Sequence, residues 1–179
     1  MPVTRKVIKS CVLTTLFLTI SICFLASCKS QKTTGKSPGT GNDNIKKSDV
    51  NQKAATVINT ARSYLGTSYK YGGSSRAGMD CSGLVITAFN SANIQLPRTS
   101  QEMSKTGRTV SINELQAGDL VFFAEKKGTN TISHVGIVTE KKNNEIIIFI
   151  HSTTKAGVIE DNLFNPYWRP LFIKAVRII

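Results

Sequence analysis

The sequence predicts an α+β domain in which N-terminal helices pack on a central antiparallel β-sheet. Apolar residues recur at helical spacing only early in the chain: Ala54, Val57, Ile58, Ala61, Tyr64 and Leu65 share one face, with Gly66 ending the pattern. Cys81, Leu84, Val85, Ala88, Phe89 and Ala92 share another face, and a short helix is expected near residues 99–103, after Pro97. Beyond that point the apolar runs shorten into strands at 120–123, 135–139, 145–151 and 171–179, separated by Gly118-Asp119, Lys127-Gly128 and Asn143-Asn144. Helices first and strands afterwards is the order of an α+β arrangement. Residues 51–179, about 130 in all, are enough for one domain with one core.

The start of the chain predicts the compartment. Arg5, Lys6 and Lys9 precede an apolar stretch over residues 11–26, the length of a signal peptide and short for a bilayer span. Leu25-Ala26-Ser27-Cys28 follows and looks like the lipobox of a bacterial lipoprotein precursor. Residues 1–27 are therefore expected to be a leader. Cys28 is the expected lipidation site, holding the mature protein on a membrane outside the cytoplasm, the outer membrane if the source is diderm. The competing reading is an uncleaved anchor with a chance cysteine.

Residues 28–50 are expected to form a tether, being rich in Lys, Ser, Thr, Gly and Asn and poor in apolar content. The net charge of +12 falls to +9 without the three leader cations. Six lysines against two aspartates give the segment up to Lys53 a charge of +4, leaving +5 for the domain. Such a balance suits anionic headgroups or cell-wall polymers. No basic-aromatic motif points to nucleic acid, and a monomer is expected.

With Cys11 and Cys23 in the leader and Cys28 at its end, Cys81 is the one thiol expected to remain free. A lone Cys followed by the only two histidines, His134 and His151, reads as a nucleophile with its base. Cys81 opens the second helix, where free N–H groups and the dipole favour thiolate. Asp80 opposes that charge, so it calls for another role, capping the helix or binding a substrate cation. The bland alternative for Cys81 is a small buried apolar residue.

A hairpin around residues 141–144 that pairs Glu140 with Glu145 would place His134 directly opposite His151. Opposed side chains lie about 5 Å apart at Cβ, near enough for one imidazole to orient the other. Ile147, Phe149 and His151 would then share one face of their strand.

Taken together, Tyr69-Lys70-Tyr71-Gly72-Gly73, Asp80-Cys81-Ser82-Gly83-Leu84-Val85, Leu96-Pro97-Arg98-Thr99-Ser100, Gly118-Asp119-Leu120-Val121-Phe122-Phe123, His134-Val135-Gly136-Ile137 and Ile150-His151-Ser152 resemble the NlpC/p60 cell-wall cysteine peptidases. The resemblance covers residues 54–179 and implies a papain-like fold. It implies that Cys81 attacks the scissile carbonyl, that His134 is the base, that His151 orients His134, and that Tyr69 helps stabilise the oxyanion. It implies that Asp80 and Ser82 bind the free amine of a peptidoglycan stem peptide, and that the bond cut joins γ-D-Glu to diaminopimelate or lysine. No metal or organic cofactor is called for. The alternatives are a cell-wall amidase or acyltransferase of the same superfamily, and a lipoprotein that binds wall peptides without turnover.

Overall fold

The computed structural model describes residues 41–179. The leader at 1–27, Cys28 and the tether up to residue 40 lie outside the described residues.

Helix α1 (Gly41–Arg62) takes in the last ten residues of the predicted tether. Residues 46–52 are exposed along it, and an i,i+4 pair between Lys53 and Asp49 at 2.8 Å supports them. Such a pair contributes only a few tenths of a kcal/mol, so these turns are a solvated extension; packing begins at Val57, Ile58 and Ala61, all buried. The helix unwinds where the apolar pattern ends, and the Gly66 N–H, at a φ of +79°, reaches the Val158 carbonyl at 2.9 Å.

A small hairpin, β1 (Ser74–Ser75) and β2 (Gly78–Met79), leads into α2 (Cys81–Asn90). The short α3 (Ser100–Met103) follows, its first turn capped by the Thr99 hydroxyl, which accepts from the Glu102 N–H. The remainder is β3 (Arg108–Val110), β4 (Leu120–Ala124), β5 (Ile132–Lys141), β6 (Ile147–Thr153), β7 (Gly157–Asn162) and β8 (Phe172–Arg177). These six form one antiparallel sheet in the order β3-β8-β4-β5-β6-β7. Sequence patterning points to four of them; β3 and β7, at the two edges, carry no long apolar run.

Leu120, Phe122, Val135, Ile137 and Ile150 pack against Val57, Ala61, Leu84, Val85 and Phe89 of the two long helices. On the opposite face, Val121, Phe123, Ile147 and Phe149 pack under Leu163, Trp168 and Leu171. Both faces of the sheet are therefore covered, which is why β4 is an unbroken apolar run instead of an alternating one.

The β5–β6 register differs from the expected one. Ile137 pairs with Ile150 and Val138 with Phe149, then a bulge shifts the ladder so that Glu140 pairs with Ile148. The cause lies in the connection. The Asn143 side-chain oxygen accepts from the N–H groups of both Glu145 and Ile146 at 2.8 Å, withdrawing them from the ladder and lengthening the loop. The unfavourable Glu140–Glu145 opposition never forms. Carried along the strands, this register sets His134 diagonal to His151, not opposite it. Diagonal neighbours still share a face and lie within reach of long side chains.

Candidate active site

Three elements converge on Cys81. Asp80 is the N-cap of α2, in extended backbone, and its Oδ1 accepts from the Gly83 N–H at 2.6 Å. Cys81 is thereby the first residue of the helix, with its sulfur partly buried. The Ser152 hydroxyl of β6 donates to the Met79 carbonyl at 2.8 Å and ties this helix start to the sheet. Gly83 is needed for close approach: a Cβ there would collide with the Gly73 carbonyl oxygen. Tyr69 is fixed by the exchange of Met79 N–H to the Ser68 carbonyl and Lys70 N–H to the Met79 carbonyl.

Two cavities flank the cysteine. One, of about 740 Å³, is lined by Tyr69, Cys81, His134, Glu125, Lys155 and Trp168 among others. The other, of about 370 Å³, is lined by Tyr69, Tyr71, Asp80, Cys81, Ser82 and Arg98 among others. Tyr69 and Cys81 line both, so the nucleophile sits between two recesses, as a residue that cuts a chain must.

The imidazole side is a relay. His134 Nε2 lies 2.9 Å from His151 Nδ1, and His151 Nε2 lies 3.1 Å from Asp161 Oδ2. Trp168 Nε1–H donates to the same Asp161 oxygen at 2.8 Å. The tautomers follow from this order. A carboxylate only accepts, so His151 carries its proton on Nε2 and Nδ1 accepts. His134 then donates through Nε2, leaving Nδ1 with a lone pair for the cysteine proton. Trp168 stacks on His134 (centroids 5.1 Å, interplanar angle 17°), and Phe149 stacks on His151 at 4.5 Å, so both rings are held in place.

Electrostatics keep the resting pair neutral. Burial pushes the Cys81 thiol up; the N–H of Val135 and those of Ser82 and Cys81 itself oppose that, while the Asp80 charge adds to it. The helix start alone predicts the opposite, and desolvation outweighs it. Burial also lowers His134, with His151 contributing, and brings His151 down to about 4 against the upward pull of Asp161. Tyr69 is raised, first by burial and then by Cys81 and Asp80, so its hydroxyl stays protonated as a donor.

Asp80 is occupied. Its Oδ1 accepts from Gly83 N–H, Ser82 Oγ at 3.0 Å and Arg98 Nη1 at 3.3 Å; its Oδ2 accepts from Gly72 N–H and Arg98 Nη2, both at 2.8 Å. Burial raises its pKa, but Arg98, Gly83, Ser82 and Gly72 outweigh that and hold the carboxyl below its usual range. Of the two roles open to it in the sequence, the structure displays the cap.

The structure thus gathers Cys81, Tyr69, Asp80, Ser82 and His134 around the two cavities, with His151 buried behind His134. Sequence patterning passes over Asp161, Trp168 and the pairing of Arg98. Asp161 lies on no apolar run that could have found it; the nearest mark in the sequence is Gly157, which opens its strand. Trp168, the only tryptophan of the chain, was a further mark. Among the described residues no group of three or more His, Cys, Asp or Glu side chains is placed to hold a metal ion.

Comparison with known proteins agrees with this geometry. The NlpC/P60 family model matches residues 66–177. The chain is 40% identical over 136 residues to the "Probable endopeptidase NlpC" of Escherichia coli (strain K12), covering 75% of this chain and 84% of that protein. It is 36% identical over 143 residues to the "Bifunctional muramidase/DL-endopeptidase CwlT" of Bacillus subtilis (strain 168), covering 75% of this chain and 42% of that one. The crystal structure of an NlpC/P60 family protein from Bacillus cereus ATCC 10987 superposes with a TM-score of 0.63 at 34% identity, over 69% of this chain and 39% of that longer chain. With its family model, relatives and architecture in agreement, the chain belongs to the NlpC/P60 family and is an endopeptidase with the papain-like fold.

Proposed function

We propose that this protein is a cysteine endopeptidase that cuts peptidoglycan stem peptides between γ-D-Glu and diaminopimelate or lysine. The observation that carries the mechanism is the ordered contact His134–His151–Asp161, which supplies an imidazole with a free lone pair in the cavity that Cys81 lines. The Cys81 sulfur attacks the carbonyl carbon as its proton passes to His134 Nδ1. Proton transfer accompanies attack, because the resting thiol and imidazole are neutral. The oxyanion is held by the Cys81 backbone N–H and the Tyr69 hydroxyl. The C–N bond then breaks, the amine leaves with the proton from His134, and water attacks the thioester by the same route in reverse.

The leader and lipobox motivate the rest of the reading: a protein lipidated on Cys28, held on a membrane outside the cytoplasm, and acting as a monomer. The basic charge of the chain suits that setting. Digestion of purified peptidoglycan, with mass analysis of the fragments, tests the activity. New γ-D-Glu termini are expected from the wild type and none from Cys81→Ala; cleavage by Cys81→Ala would overturn the assignment of the nucleophile. Cys28→Ala is expected to abolish acylation, measured by incorporation of a labelled fatty acid, and unchanged incorporation would place the lipid elsewhere.

A further inference from the structure

The larger cavity beside Cys81 carries three charged side chains, Glu125, Lys155 and Asp161. Asp161 is already committed to His151 and to the Trp168 indole N–H. Glu125 and Lys155 are exposed, and neither enters a hydrogen bond or ion pair with any described residue. Both are carried on anchored backbone. Glu125 follows Ala124, the last residue of β4, which pairs with Ile132 of β5. Lys155 sits in the β6–β7 turn, closed by the Ala156 N–H on the Thr153 hydroxyl at 3.0 Å and by the Val158 N–H on the Thr67 carbonyl at 2.9 Å. Because β5 runs between β4 and β6, the two charges flank the strand that brings His134. Two strand spacings, about 10 Å, separate their carriers, so the opposite charges are held apart and do not neutralise each other.

The reaction decides which half of the substrate enters this cavity. His134 lines it and not the smaller one, and His134 returns the proton to the leaving amine, so the amine half lies here. That half begins with the diamino acid. A lysine side chain ends in an ammonium alone, whereas a diaminopimelate side chain ends in a carbon that bears both an ammonium and a carboxylate. Such an end donates to Glu125 and accepts from Lys155 at once, bridging the gap. Lysine leaves Lys155 unanswered and sets one ammonium beside another. We infer that Glu125 and Lys155 make the larger cavity specific for diaminopimelate with a free ammonium and a free carboxylate at the end of its side chain, over lysine and over diaminopimelate amidated at that carboxylate. This deepens the peptidase reading above and rests on it.

Three synthetic peptides L-Ala-γ-D-Glu-X-D-Ala test the inference with the purified full chain, X being diaminopimelate, diaminopimelate amidated at its side-chain carboxyl, or lysine. Two quantities are read for each: kcat/KM for cleavage, and the concentration that protects Cys81 from alkylation by iodoacetamide, followed by peptide mass. The free diaminopimelate peptide is expected to be favoured about fivefold over each of the others, as fits charge pairs in an open cavity. Equal values, or a preference for lysine, overturn the inference. In Lys155→Gln the preference is expected to fall to near one, and in Lys155→Glu to reverse in favour of lysine; an unchanged preference in Lys155→Gln would overturn it. Glu125→Gln is expected to lower kcat/KM on all three about equally, because all three keep the ammonium, and a loss confined to the free diaminopimelate peptide would overturn the division of roles. If a variant does not fold, the wild-type ratios decide alone. Cleavage without preference sinks only this inference, whereas no cleavage of any peptide or of peptidoglycan sinks the peptidase reading, and the protection ratios still rank the three peptides at the cavity.

Discussion

The two sides of the site are built in different ways. The nucleophile side is local in sequence and polar: Gly72, Asp80, Ser82, Gly83 and Arg98 lie within one short stretch, and a single carboxylate gathers them. The imidazole side is long-range and aromatic. His134, His151 and Asp161 come from three successive strands, and Trp168 and Phe149 enclose them. On the first side geometry is held by hydrogen bonds to one N-cap; on the second it is held by strand register and packed rings. Removing the N-cap carboxylate of the first side should therefore be felt mainly in stability, and removing the carboxylate that ends the relay on the second mainly in rate.

Asp161→Ala sharpens that contrast most. It removes the acceptor that sets the His151 tautomer, so kcat is expected to fall about tenfold or more, with little change in Tm. A large loss of Tm with kcat retained in the folded fraction would reverse the comparison. Asp80→Ala should act the other way. Losing a cap costs about 1 kcal/mol, and the ion pair adds little because Arg98 is half in water. A fall of a few degrees in Tm is expected by thermal unfolding; an unchanged Tm would show that α2 does not depend on this cap.

The same contrast explains what the sequence discloses. Helical periodicity and the Asp-Cys-Ser-Gly run locate α2 and its cap, because their causes are a few residues apart. The short α3 and the apolar β4 are legible for the same reason. The diagonal placement of the histidines is not, because it depends on a bulge near Thr139 and on Asn143 capturing two N–H groups, neither of which alters the apolar alternation. Asp161 is hidden further, since β7 is a short edge strand whose last four residues are only half-buried, and no apolar run announces it. The early start of α1 is hidden because residues 46–52 are exposed and bury nothing that a hydrophobic pattern could report. Desolvation of Cys81 likewise depends on what packs around it, not on its place at a helix start.

The relay is tested most directly by kcat/KM against pH for the wild type, His151→Asn and His151→Ala. His151 is held down to about 4 by burial, and His134 is lowered by burial and by His151. Protonation at Nδ1 removes the acceptor His134 needs, so activity is lost as pH falls through the folded value, not at the ordinary 6.5 of a free imidazole. The wild type is expected to hold its kcat/KM from neutrality down to about pH 5 and to lose it near 4. His151→Asn, whose amide oxygen still accepts from His134, should keep much of the activity, and His151→Ala should lose about 100-fold. A wild-type profile that collapses at 6.5, or a His151→Ala enzyme as active as the wild type, would contradict the ordered contact from Asp161 through His151 to His134.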